Sequence, residues 1–336
     1  MKYLVVAPSW IGDAVLAQPF LKRLKALNPE AQLEVMASNW VAPVMARMPE
    51  VSAVFENPFG HGDLSLLARF RLGRRLAQAG YDRAYVLPNS LKSALVPFFA
   101  RIPQRIGFTG ESRYGLLNCR HTLNKEALPQ MAERYAWLAE APGTPLPHPL
   151  LPLHLTSTPE QQAAVLADLK LTSDRRPVVF CPGAEYGPAK RWPTAHFATL
   201  ARVLGERGHA VWLLGGEHDR SLGDAIRAAA PRACRNLCGI TSLDQAIDLI
   251  AQAELVVSND SGLMHVAAGL SRPLIALYGS SSSTFTPPHS PLASTLSIGL
   301  PCSPCFQRTC PQGHLDCLWK LEPTRVLDAC LSKLSP

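Results

Sequence analysis

The stretch from Glu254 to Tyr278, ELVVSNDSGLMHVAAGLSRPLIALY, restricts the fold of this chain more than any other. An apolar run from Leu255 to Val257 leads into Ser258-Asn259-Asp260-Ser261-Gly262. Leu263, Val266, Ala267 and Leu270 then recur at helical spacing, and Pro273 opens a second apolar run. The periods predict a strand, a polar turn, a helix and a strand. In a doubly wound sheet such a turn lies at the carboxyl edge of the strands, where ligands bind and the free N–H groups opening a helix attract phosphate. Asp260 and His265, five positions apart, can both face that crevice. Asp and Ser before a helix equally serve as caps for its first amides, and a His on an apolar helix equally packs as core. This stretch alone leaves both readings open.

The same alternation runs along the whole chain. Residues 2 to 7 form an apolar run rich in Val and Leu, followed by Pro8-Ser9-Trp10-Ile11-Gly12-Asp13 and then Val15, Leu16, Phe20, Leu21 and Leu24 at helical spacing. This predicts a strand, a glycine-containing loop and a helix with Asp13 at its N-terminus, as a ligand-facing acid or as a cap. Strands are expected at 33–36, 51–55, 83–87 and 106–108, and helices near 41–48 and 64–79. Asn89 and Lys92 sit in a polar loop after the strand 83–87. Beyond residue 155, helices are expected at 159–169, 194–206, up to 229 and at 243–251, with strands at 178–181 and 210–214; Asn236 to Gly239 precedes the last of these helices. Strands alternating with helices imply an α/β protein with parallel sheets covered on both faces, all strand-to-helix loops sharing one edge. Pro142, Pro145, Pro147, Pro149, Pro152 and Pro159 read as a linker of limited flexibility. The expected organisation is two Rossmann-like domains, 1–155 and 156–336, facing each other across a cleft.

Charge narrows the class of partner. Between residues 61 and 125 eleven Lys or Arg stand against three acids, an excess of eight in a chain whose net charge is +7. Nucleic acid, an anionic membrane face or a phosphorylated substrate suits that surface. Arg69 to Arg75, taken alone, read as a solvated helix face. Nucleic acid is not expected, because no helix-turn-helix, zinc-finger or RNA-binding signature accompanies the charge. The loop 8–13 lacks the three glycines of a dinucleotide fingerprint, which removes the dehydrogenase reading. No apolar run reaches the 18 or more residues a spanning helix needs, and the N-terminal run is too short for a secretory signal. Nine cysteines, an odd number in a long chain, fit a reducing compartment. The expected location is the cytoplasm.

Three further motifs carry chemistry. In Pro182-Gly-Ala-Glu-Tyr-Gly-Pro-Ala-Lys-Arg-Trp-Pro193 the glycines, Gly183 among them, allow close backbone approach, and Lys190 with Arg191 brings positive charge to a strand end. That arrangement holds a diphosphate without a Walker sequence; a plain surface cation is the alternative. Glu217 follows Gly215-Gly216 at another strand end, where a carboxylate accepts hydrogen bonds from a ribose diol. Its neighbour Asp219 serves equally well, and either can cap a helix. Cys302, Cys305, Cys310 and Cys317, with His314 among them, are spaced C-x2-C-x4-C-x6-C. Zinc would staple such a loop-rich segment, although the spacing is not that of a standard finger; reduced cysteines packing a tail are the other reading.

Together APSWIGD at 7–13, YDRAYVLPNSLKSAL at 81–95, RYGLLN at 113–118, CPGAEYGPAKRWP at 181–193 and SNDSGLMHVAAG at 258–269 closely resemble the ADP-heptose:lipopolysaccharide heptosyltransferases, over nearly the whole chain to about Pro288. The resemblance implies a GT-B fold, inversion at the sugar and no required metal. It implies transfer of L-glycero-D-manno-heptose from ADP-heptose to the first heptose of heptosyl-Kdo2-lipid A, at the cytoplasmic face of the inner membrane. By position Asp13 resembles the family's catalytic base and Lys190 its diphosphate-binding lysine. Asp260 and His265 match residues around the donor heptose and phosphates, with Gly183, Ser261 and Gly262 beside them and Glu217 at the ribose. Ser9, Trp10, Asn89, Lys92 and Arg113 fall in the motifs of the basic half and are expected toward the acceptor. Nothing is transferred to the cysteines. Two rival readings on the same scaffold are a non-catalytic nucleotide-sugar or glycan-binding protein and a sugar-nucleotide epimerase, since fold alone does not fix function.

Overall fold

The structure is a computed structural model that describes residues 1–60, 62–171 and 176–334. The chain divides into two compact units, Met1–His154 and Leu155–Pro336. In the first, strands β1 (Lys2–Val6), β2 (Gln32–Ala37), β3 (Ala53–Glu56), β4 (Arg83–Val86), β5 (Gln104–Phe108) and β6 (Cys119–His121) form one sheet in the order β3-β2-β1-β4-β5-β6. The second contains β7 (Val178–Cys181), β8 (Val211–Leu213), β9 (Cys234–Asn236), β10 (Leu255–Asn259), β11 (Leu274–Leu277) and β12 (Ala293–Leu296), ordered β12-β11-β10-β7-β8-β9. All ten pairings are parallel. In the second sheet the central strands VVFC and LVVSN are buried along their whole length, because helices cover both faces.

The strand order fixes where a ligand can sit. In the first sheet the chain winds outward from β1 to β3, then crosses back to β4 and winds the other way. The loops after β1 and β4 therefore diverge and leave a crevice between them. The second sheet has the same reversal between β7 and β10, which pair through Cys181 and Ser258 at their carboxyl ends. Strands Val178, Phe180, Val211, Leu213, Leu255 and Val257 pack with Phe197, Leu200 and Leu204 of the helix Thr194–Glu206 into one core.

Some elements differ from the sequence reading. The edge strands β6 and β12, CRH and ASTL, carry no apolar run; they form because each adds hydrogen bonds to a strand already in place. Helices Met131–Trp137 and Pro323–Leu331 were also not expected. In the helix Leu66–Leu76 Arg71, Arg74 and Arg75 are exposed as expected, and Arg69 is the exception. Arg69 is buried, donating to the carbonyls of Asp63, Leu64 and Lys92 with its guanidinium 3.9 Å from the Phe59 ring, while Leu66, Leu67 and Phe70 are exposed. Carbonyls around a short loop need donors, and one guanidinium supplies five.

His121, at the end of β6, is fully buried between Phe108 and Trp137, and neither ring nitrogen has a hydrogen-bond partner. Burial lowers its pKa to about 4. Between pH 6.5 and 4 the unfolded chain therefore takes up a proton that the folded chain refuses, and stability falls on acidification through that window. Replacing it, His121→Phe, is expected to flatten the fall by about 2–3 kcal/mol in urea unfolding series across this range; an unchanged slope would mean the residue titrates normally.

Candidate active site

In the second unit the site is built on Asn259, the last residue of β10. Its Nδ2 donates to the Pro182 carbonyl at 2.7 Å, and its Oδ1 accepts from the Trp192 amide at 2.9 Å. One buried side chain thus pins both ends of the loop 182–193 to the neighbouring strand. Within the loop, Tyr186 Oη donates to the Phe306 carbonyl at 2.8 Å and the Ala189 amide donates to that of Arg308 at 3.0 Å. Gly187 passes so close to the Arg308 backbone that a Cβ there would collide with it.

A single helical turn, Pro188–Lys190, ends the loop's inward run. It sets Lys190 Nζ 2.6 Å from Asp260 Oδ2 and 5.3 Å from the Tyr186 ring centroid. The Asp260 carboxylate is almost fully buried and the Lys190 side chain retains 19% exposure, so the ammonium stands between a buried acid and solvent. His265 Nε2 lies 4.0 Å from Asp260 Oδ1, and its buried Nδ1 has no partner. Burial lowers the imidazole's pKa to about 4 despite the neighbouring Asp260, with His289 and Lys190 adding to the effect. It is neutral beside the ion pair.

Ser261 occupies the N-cap of the helix Gly262–Gly269, yet its side chain makes no capping bond and instead lies 3.2 Å from Ser258 Oγ. The opening amides are left without a side-chain cap, the condition in which a helix start accepts an anion.

Gly183 and Gly215 both abut Asp219, whose carboxylate fills the space a Cβ at Gly183 would need. Asp219 accepts from the Gly216 amide at 3.1 Å and lies 3.8 Å from Arg191; burial raises its pKa. Glu217, the acid carried over for the ribose, is exposed at the same strand end, 3.3 Å from Arg220. Two residues absent from the sequence reading join this edge. Ser280 and Ser281, beyond β11, are buried with hydroxyls that have no partner. Their signal was present, a serine run straight after an apolar strand.

The first unit gathers its own set. Asp13 is half-buried in the opening turn of the helix Ile11–Leu16, after β1, and its charge adds to the burial that raises the pKa of Tyr135. Trp10, at that helix's N-cap, is 44% exposed; Ser9 is exposed and its carbonyl accepts from Trp40. Asn89 and Lys92 follow β4, the strand next to β1. Arg113 corrects an expectation. It is fully buried, donating to the carbonyls of Pro88, Phe108 and Gly110 and to Asn89 Oδ1, so it shapes the loop after β4 from beneath and does not offer its charge to a ligand.

Cys302, Cys305, Cys310, Cys317 and His314 line a cavity of about 20 Å³ beside the loop 182–193. Among the described residues no three Cys, His, Asp or Glu side chains are gathered as a ready ion site.

Comparison with known proteins follows the same lines. Residues 69–316 match the model of glycosyltransferase family 9 (heptosyltransferase). Lipopolysaccharide heptosyltransferase 2 of Salmonella typhimurium is 47% identical, over 100% of this chain and 99% of that one. Lipooligosaccharide heptosyltransferase 2 of Haemophilus influenzae is also 47% identical, over 89% of each. The solved structure of E. coli ADP-heptose lps heptosyltransferase II superposes with a TM-score of 0.90 at 44% identity, covering 99% of this chain and 98% of that one.

The Lys190–Asp260 pair gives a direct test of the site's electrostatics. Asp260→Ala leaves a largely buried ammonium without its acid, and a loss of about 1–3 kcal/mol in unfolding free energy is expected. Adding Lys190→Met should restore part of it, because the uncompensated charge goes too. A fully additive double variant would mean the pair is not coupled.

Proposed function

The chain belongs to glycosyltransferase family 9, the heptosyltransferases, and from that premise we propose that it moves L-glycero-D-manno-heptose from ADP-heptose to the first heptose of the lipopolysaccharide inner core. The observation that carries the reading is the paired Lys190 and Asp260 at the strand reversal of the second sheet, on a loop pinned by Asn259. The fold class is GT-B, two Rossmann-like units each with a six-stranded parallel sheet.

The chemistry follows from the charges. On donor binding Lys190 turns from Asp260 toward the diphosphate, with Arg191 and the uncapped amides from Gly262 adding positive potential. Neutral His265 donates or accepts a hydrogen bond without adding charge. Asp219 or Glu217 takes the ribose hydroxyls. Asp13 accepts the proton of the acceptor hydroxyl as its oxygen attacks the anomeric carbon from the face opposite the diphosphate. The new C–O bond forms as the C–O bond to phosphate breaks, and ADP leaves with Lys190 balancing its charge. One displacement inverts the anomeric centre. A carboxylate is a weak base, but proton transfer can come late, when the sugar has oxocarbenium character. Asp13 belongs to the first unit and Lys190 to the second.

The reading is tested by incubating the protein with ADP-heptose and heptosyl-Kdo2-lipid A. Product one heptose heavier by mass spectrometry, and ADP released only when acceptor is present, are expected. Release without acceptor, or none at all, removes the transferase. Asp13→Ala should lower turnover about 100- to 10,000-fold while ADP still binds; near-normal turnover would take Asp13 out of its role.

An acceptor carried on lipid A keeps the enzyme at an anionic membrane surface. No described helix is long and apolar enough to cross a membrane. The outward face of the helix Leu66–Leu76 suits a surface contact, since it carries Leu66, Leu67 and Phe70 with Arg71, Arg74 and Arg75. In co-sedimentation with phosphatidylglycerol vesicles, Leu67→Asp with Phe70→Asp should cut binding by about tenfold relative to the parent. Equal binding would place the contact elsewhere.

A further inference from the structure

The cysteine segment is not used by the reaction above, yet it is built against the loop that carries Lys190. Residues 297–315 contain no helix or strand. In the middle of this excursion the Arg308 carbonyl accepts from Ala189, the Phe306 carbonyl accepts from Tyr186, and the Arg308 guanidinium lies 5.2 Å from the Tyr186 ring. The Phe306 amide donates to the Ser280 carbonyl at 2.7 Å. A long stretch without regular structure therefore forms one wall of the diphosphate loop, and something must hold that wall in shape.

Four observations say what holds it. Cys302, Cys305, Cys310 and Cys317 all line a single cavity of about 20 Å³, and Ala189 and Ser280 line it too. That volume admits one water-sized guest. The Gly313 amide donates to the Cys310 carbonyl at 3.1 Å, closing a turn at that cysteine. His314 is occupied elsewhere: its Nδ1 accepts from the Asp316 amide at 2.9 Å, which leaves Nε2 as the N–H toward Gln312 Oε1 at 2.6 Å. None of the four thiols is in a disulfide.

We propose that Cys302, Cys305, Cys310 and Cys317 bind one zinc ion as a four-thiolate structural site, and that this ion holds the 302–317 segment as the buttress of the Lys190 loop. Four sulphurs and no imidazole select a thiophilic divalent ion in tetrahedral geometry, closed to water and so structural. The sulphurs do not yet converge on one point; a cysteine has a single side-chain torsion, and turning it moves each sulphur within the cavity. Binding releases the thiol protons as the ligands become thiolates.

The test uses the full-length protein, purified under reducing conditions. Elemental analysis should find one zinc per chain, and cobalt added to metal-free protein should give the intense thiolate-to-cobalt charge-transfer bands of a tetrahedral site. Cys302→Ser with Cys305→Ser should lose both signals, whereas Cys119→Ser, in the other unit, should keep them. If the double variant does not fold, the cobalt titration of the native chain still decides. Less than about 0.1 zinc per chain with no cobalt bands overturns the site, and full zinc content in the double variant overturns the ligand assignment. One iron per chain in place of zinc overturns the choice of metal. The link to the loop rests on the donor-site reading: removing the ion should weaken ADP binding by about tenfold, and unchanged ADP affinity breaks that link. Metal content is independent of transfer activity, so failure of either leaves the other measurable.

Discussion

The second unit of this molecule depends on the side-chain amide of Asn259. It is wholly buried and uses both ends, one toward Pro182 and one toward Trp192, so that a loop of twelve residues is closed on itself by a single side chain. An amide suits this task, because the loop presents a carbonyl at one end and an N–H at the other and the amide carries a donor and an acceptor on separate atoms. Leaving either group buried and unpaired would cost about 1–3 kcal/mol. The closure is reinforced by Trp192, fully buried in the core of the sheet with its indole N–H on the Leu321 carbonyl at 2.8 Å. The apolar core and the loop 182–193 thus share one residue pair, which fixes the backbone from which Lys190 projects.

That preorganisation explains the electrostatic design. A lysine on a free loop would place its charge in water, where it interacts weakly with a phosphate. Here the ammonium is held against a buried acid, Asp260, with a neutral imidazole behind it. If His265 were charged, the pair would carry a net positive charge in a buried pocket even without substrate. Its neutrality, set mainly by burial, leaves the Lys190–Asp260 pair balanced.

Much of this was legible in the sequence, and the limits are physical. The alternation of apolar runs with helical spacings identified both sheets, since wholly buried parallel strands leave unbroken apolar runs. It missed β6 and β12, whose stability comes from a neighbouring strand rather than from their own composition. Lys190, Asp260 and His265 could be found because each follows a strand at a polar turn. Asn259 reads in the sequence only as part of that turn, and nothing in one sequence says that a strand-terminal amide spans two ends of a distant loop. Arg113 went the other way: a motif position in a basic region suggested a ligand contact, whereas its donors are spent on buried carbonyls. Asp219 and Glu217 were equivalent by spacing; only the coordinates separate an acid packed on glycines from one exposed at the rim.

The two buried arginines change what the basic region means. Counted from sequence, residues 61–125 carry an excess of eight positive charges, but Arg69 and Arg113 are committed to carbonyls inside the first unit, and Arg105 donates to Leu116 and Ile102. The cations left exposed, Arg71, Arg74, Arg75, Arg101, Arg120 and Lys125, are fewer and less evenly spread. Three of them share the helix Leu66–Leu76 with exposed Leu66, Leu67 and Phe70. Arg69 is buried in that helix together with Leu72 and Gly73, while Leu66, Leu67 and Phe70 stay exposed. A face that is cationic and apolar at once is poorly suited to water and well suited to an anionic lipid boundary.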